Sequence, residues 1–120
     1  MSLQSDIEDL WQRYDDGLTA EDATGNDLDV LADFLRALEQ GEIRAAEKRG
    51  GEWAVNEWVK HGVLLNFGLR SISAYEYGDV TYNDVLPVLD TDDLADRGSR
   101  NTPTGTVARR GAYLGSDIIM

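Results

Sequence analysis

Four arginines, Arg97, Arg100, Arg109 and Arg110, fall within fourteen residues that contain no acid. A guanidinium presents a planar fork of N–H donors that matches a carboxylate or phosphate. The stretch can therefore meet an anionic small molecule. It can equally be a solvated loop, and on composition alone that plainer reading stands ahead. Other chemistry is sparse. The absence of Cys removes disulfides, zinc ribbons and thiol nucleophiles together. His61, the only His, has no second His and no nearby Asp, and reads as a surface or interface helix residue. The many Asp residues show no EF-hand spacing, and neither a P-loop nor a dinucleotide fingerprint is present, so no metal or nucleotide site is expected. Glu47 and Lys48 read as a strand-surface ion pair rather than an acid–base pair. Trp53 and Trp58, at a hairpin and a helix start, read as core rather than as cofactor platforms.

The chain that must position these groups has 120 residues, enough for one ordinary domain. A chain of this size buries roughly two thirds of its unfolded surface. Acidic residues outnumber basic ones by 23 to 11, for a net charge of −12. That balance argues against a nucleic-acid partner bound through its phosphates. Apolar residues at 42% argue against disorder. No apolar run approaches the roughly 18 residues of a membrane span, and the acidic first twenty residues hold no secretory signal. A cytoplasmic location, with no membrane partner, is the expectation.

Hydrophobic spacing predicts an amphipathic helix over residues 3–14, with Leu3, Ile7, Leu10, Trp11 and Tyr14 on one face. A second helix is predicted after a cap at Asn26 or Asp27. Leu28, Leu31, Leu35 and Leu38 form its stripe, Phe34 and Ala37 widen it, and Gly41 ends it. Residues 43–48 and 52–55 read as the strands of a hairpin that turns at Arg49-Gly50-Gly51. Asn56 should cap a third helix over residues 57–67, with Trp58, Val59, Val63, Leu64 and Phe67 as its buried candidates. After Gly68 the pattern changes to short strands with turns, followed by one or two helical turns within residues 90–96. Val107, Tyr113 and Ile119 recur every six residues among small residues, the spacing of a parallel β-helix. The sequence stops at Met120 within that pattern. A coil needs stacked neighbours, so the chain reads as the front of something longer, with residues 104–120 loosely held.

Residues 38–67, LEQGEIRAAEKRGGEWAVNEWVKHGVLLNF, resemble the amino-terminal domain of the tetrahydrodipicolinate N-succinyltransferases. The matches run in order. Leu38 and Gly41 fit the helix end, Arg44 with Ala46, Glu47 and Lys48 fits the first strand, and Gly51 with Trp53 fits the return strand. Trp58 with Lys60 and Val63-Leu64-Leu65 with Phe67 fit the helix that follows, and Gly62 departs mildly where the family has Ala. Tyr82-Asn83-Asp84-Val85-Leu86-Pro87 is similar to a second family segment, with Val85 in place of the usual Lys. Residues 100–120 are similar to the family's entry into its left-handed β-helix. Asn101 and Thr102 replace the usual Val-Val there, and Arg109-Arg110-Gly111-Ala112-Tyr113 fits.

The resemblance implies an α+β chain. Residues 1–68 would form a helical domain of three helices and a hairpin. Residues 69–103 would be a connecting segment of short strands and turns, and residues 104–120 the first incomplete coils of a left-handed hexapeptide-repeat β-helix. It further implies a homotrimeric acyltransferase of lysine and diaminopimelate biosynthesis, moving succinyl from succinyl-CoA, its co-substrate, to ring-opened tetrahydrodipicolinate, with no further cofactor. The amine would attack the thioester directly, and a carboxylate would serve as general base. The family's catalytic carboxylates fall beyond residue 120, so the isolated chain is expected to be inactive. Arg100 matches the family's dicarboxylate-binding Arg and is the one substrate-binding residue carried over. Arg109 and Arg110 are assigned to β-helix edges and subunit contacts. The rival reading is a stand-alone helical interaction module, with Val107, Tyr113 and Ile119 spaced by chance.

Overall fold

The computed structural model describes residues 2–103 and 105–120; Thr104, the first residue of the expected third segment, lies outside them. The chain is α+β: three helices and two separate antiparallel hairpins. Helix α1 spans Leu3–Asp15, α2 Gly25–Glu39 and α3 Glu57–Gly68. Hairpin β1–β2 pairs Ala46–Arg49 with Glu52–Val55, and hairpin β3–β4 pairs Ser73–Tyr77 with Val80–Asp84. A short 3-10 turn covers Ala95–Arg97. Among the described residues, no helix is long and apolar enough to cross a membrane.

The core sits among the three helices. Ile7 and Leu10 of α1, Leu31, Phe34 and Leu35 of α2, and Val59 and Leu65 of α3 are buried together. The α1 stripe reaches them as its spacing predicts, with Leu3, Trp11 and Tyr14 packing at the rim. Trp11 also stacks face to face on His61, ring centroids 4.0 Å apart, which joins α1 to α3. Leu86, beyond the second hairpin, enters the same core.

The cap of α2 differs from the expectation. Thr24 is the N-cap, and Asp27 closes the capping box from the third helical position. Asp27 accepts the Thr24 N–H while the Thr24 hydroxyl accepts the Asp27 N–H. These two donors at the helix start are thereby satisfied.

Helix α3 buries Val59 as expected but otherwise turns a different face to the core. Val59, Gly62, Leu65 and Asn66 face inward, whereas Val63, Leu64 and Phe67 are exposed. The helix is apolar nearly all round, so periodicity could not select a face. Packing selects it instead: Gly62 lies so close to the Phe34 ring that a Cβ there would overlap it. Asn56 occupies the N-cap position but makes no side-chain cap bond. Its amide ties the base of the first hairpin, donating to the Arg44 carbonyl at 2.7 Å and to Glu47.

That hairpin turns at Gly50 and Gly51 with both φ angles positive, as a two-residue primed turn requires. Trp53 is not core. It is 71% exposed and lies under the Lys48 ammonium, 5.6 Å from its ring centroid. Strand alternation explains this, because Lys48 and Trp53 are cross-strand partners on one solvent face. Glu47 points to the other face, where its ion pair is with Arg49 at 2.6 Å rather than with Lys48. Trp58 fits the core reading, packing against the cluster edge-on to Phe34.

Candidate functional site

The four arginines separate once folded. Arg97 donates to the Leu114 carbonyl at 2.6 Å and pairs with Asp93. Arg109 pairs with Asp84 and lies over the Phe67 ring. Arg110 forks onto Glu39 at 2.6 and 3.2 Å. Of these four, and among the described residues, only the Arg100 guanidinium has neither an ion pair nor a side-chain hydrogen bond.

The Arg100 backbone is firmly held. Its N–H donates to the Ile118 carbonyl at 2.8 Å, and its carbonyl accepts the Met120 N–H at 2.9 Å. The Thr102 N–H continues the ladder to the Met120 carbonyl. Arg100 and Ile119 thus form a parallel bridge. The side chain borders an open groove of about 490 Å³ lined by Thr91, Asp92, Leu94, Ser99 and Thr102. Asp92 is the one carboxylate on that wall. A planar cation with all its donors free, on a fixed strand beside an open groove, can take a carboxylate by two parallel charge-assisted bonds.

The stretch before Tyr113 is tied to the helices, contrary to the expectation of a loosely held end. Besides the Arg110 fork, Glu39 accepts the Gly111 N–H at 2.8 Å. Gly111 packs on Leu35 and Leu38, and Tyr113 lies against Gly41 with Arg44 over its ring. An antiparallel bridge joins Val88 to Arg109. Val107, Tyr113 and Ile119, the residues spaced by six, are all exposed.

Two other features flank this region. Arg70 is half-buried, which pushes its pKa down, and its Nε donates to the buried Asn66 side chain. A cavity of about 360 Å³ lies between Tyr75, Tyr82, Pro87 and Arg109, but Asp84 already meets the Arg109 charge. Among the described residues, no three His, Asp or Glu side chains converge as metal ligands. Sequence reasoning singled out Arg100 and did not find Ser99 or Glu39, whose side chains fasten the segments around it.

The family model described as tetrahydrodipicolinate N-succinyltransferase N-terminal matches residues 2–69. The chain is 37% identical to the 2,3,4,5-tetrahydropyridine-2,6-dicarboxylate N-succinyltransferase of Ralstonia nicotianae, over 98% of this chain and 44% of that protein. Proteins of the same name from Neisseria meningitidis and Granulibacter bethesdensis are 34% and 37% identical, over 100% and 99% of this chain and 45% and 44% of theirs. The chain thus spans less than half the length of the curated relatives it matches.

Proposed function

Because the chain belongs to the tetrahydrodipicolinate N-succinyltransferase family, we propose that it is the amino-terminal portion of an enzyme that succinylates ring-opened tetrahydrodipicolinate in lysine and diaminopimelate biosynthesis. In that reaction the acceptor amine gives its proton to a base and attacks the thioester carbon of succinyl-CoA. The C–S bond then breaks and CoA leaves as its thiol. The general base belongs to residues outside this chain, so the 120 residues do not turn over by themselves.

Arg100 is the acceptor-side contribution of this chain: its fork holds one carboxylate of the dicarboxylate. The observation that carries this reading is the free guanidinium. Arg97, Arg109 and Arg110 are each occupied by an acid of the chain, and of the four arginines in this stretch Arg100 alone has no such partner among the described residues. The acceptor is an anion and the chain is strongly acidic, so a local cation has to supply the attraction.

Residues 104–120 begin a left-handed β-helix in the same proposal. Supporting it is the parallel pairing of Arg100 with Ile119, close to the spacing of about 18 residues that three hexads of one triangular coil come to. The exposed Val107, Tyr113 and Ile119 are then the inward residues on which a following coil stacks. The complete protein is a cytoplasmic homotrimer that needs no cofactor beyond its acyl donor.

The test is steady-state kinetics on the full-length protein and its Arg100→Lys variant, each substrate varied in turn. Lys keeps the charge but loses the fork, which should weaken acceptor binding by roughly 1.5–3 kcal/mol, about one to two orders of magnitude. The succinyl-CoA constant should hardly move. An unchanged acceptor constant and turnover would reduce Arg100 to a loop arginine.

A further inference from the structure

We infer that Ser99 is a positioning residue for Arg100: its buried hydroxyl fastens the Arg100 strand to the strand beside it and so sets where the free guanidinium stands. The inference rests on the reading of Arg100 as the carboxylate anchor.

Ser99 is only 3% exposed, although its neighbours Gly98 and Arg100 are exposed. The hydroxyl donates to the Gly115 carbonyl at 3.2 Å and accepts the Ile118 N–H at 3.0 Å. One donor and one acceptor are thus both used, and both partners lie on the opposing segment. A buried hydroxyl with no such partners would be costly; here it bridges two backbone groups that have no ladder bond to each other. Arg97 adds to the same seam. Its guanidinium holds the Leu114 carbonyl, and its own carbonyl accepts the Asp117 N–H at 3.0 Å.

The consequence for Arg100 follows from what it lacks. Among the described residues its side chain has no partner, so only its backbone determines where the fork can reach. That backbone is paired to Ile118, which the Ser99 hydroxyl also holds, and to Met120 two residues further on. Removing the hydroxyl leaves the Ile118 N–H and the Gly115 carbonyl without this partner and loosens the ladder at its first rung. The fork then spreads over several positions, and a two-bond grip on a carboxylate suffers most from such spread.

Two measurements test this. In the 120-residue chain, Ser99→Ala should speed amide hydrogen exchange at Ile118, Met120 and Thr102 by about tenfold while the three helices keep their protection. Ser99→Cys, whose thiol is a weaker donor and acceptor, should fall between. In the full-length protein, Ser99→Ala should raise the acceptor KM about threefold to tenfold, leave the succinyl-CoA KM unchanged, and add nothing on an Arg100→Lys background. Unaltered exchange at those three amides, or an equal KM effect with Lys at position 100, would overturn the inference while leaving Arg100 as the anchor. An Arg100→Lys protein with wild-type acceptor kinetics would remove the anchor reading, and the inference with it, however Ser99→Ala behaves.

Discussion

Glu39, the last residue of α2, accepts both arms of the Arg110 fork at 2.6 and 3.2 Å, although the two residues are 71 positions apart. The carboxylate is largely withdrawn from solvent, and the Gly111 N–H fills a third position on it. The cation also sits at a helix carboxyl end, where the macrodipole favours positive charge. This contact fixes the seam between the helical bundle and the chain that leads to the Arg100 ladder. It assigns Arg110 a role inside the chain.

Breaking this contact should loosen the carboxyl-terminal stretch before it affects the helices. Glu39→Ala removes three hydrogen bonds, two of them to a charged group. The expected loss is about 2–4 kcal/mol of local stability. Hydrogen exchange at Gly111 and Ala112 should quicken strongly, with protection in α1 unaltered. Equal acceleration throughout the chain would mean that Glu39 supports the bundle itself.

Gly62 should resist enlargement. A Cβ there meets the Phe34 ring face, and Phe34 is fully buried. Gly62→Ala gains helix propensity but forces the ring aside, so a net loss of about 1–3 kcal/mol is expected. Shrinking the ring in a Gly62→Ala, Phe34→Leu double variant should recover part of that loss. Thermal midpoints of the two singles and the double form the cycle, and strictly additive losses would show that the two side chains do not compete for one space.

Trp58 and Trp53 should behave oppositely. Trp58→Ala removes a ring packed on the core and edge-on to Phe34, at a cost of about 3 kcal/mol. Trp53→Ala gives up a cation contact on a solvent face and should stay within about 0.5 kcal/mol of wild type. Urea midpoints decide the matter; equal losses would place Trp53 in a packed environment.

How much was legible in advance depended on whether a segment carries contrast. In α1, polar residues oppose Ile7 and Leu10, and the buried face follows from spacing alone. In α3, Val63, Leu64, Leu65 and Phe67 offer several stripes of similar apolarity, and the choice was made by the space Gly62 leaves beside Phe34. Trp53 was misplaced because a strand of four residues is too short for alternation to say which side is wet. Arg100 stood out through its setting in an acidic chain and through the family motif around it. Ser99 and Glu39 carry no local signal, since their partners lie 16 to 19 and 71 positions away and only folding brings them together.

Acid should expose the contribution of Asp27. Its carboxylate receives the Arg13 fork at 2.8 and 3.0 Å and the Thr24 N–H at 2.9 Å. The Arg13 hydrogen bonds, chiefly, hold its pKa below the ordinary carboxylate value, while burial works the other way. A folded-state pKa below the unfolded one stabilises the fold at all pH values above the unfolded pKa of about 3.9. That stability is lost as pH falls through the folded value. At pH 7 it is fully present, and Asp27→Asn should cost about 1–3 kcal/mol by replacing charged bonds to Arg13 and the cap with neutral ones. Below about pH 4 the carboxyl of the unfolded wild-type chain begins to protonate, so its advantage over Asn should shrink, and it vanishes once the pH has fallen through the folded pKa. The other carboxylates of this acidic chain titrate alike in both proteins, so the difference between the two curves isolates Asp27. Urea denaturation of wild type and Asp27→Asn from pH 7 to pH 3 measures it. A gap that stays constant to pH 3 would mean that folding leaves the Asp27 pKa unshifted and that the cost of Asn arises from packing rather than charge.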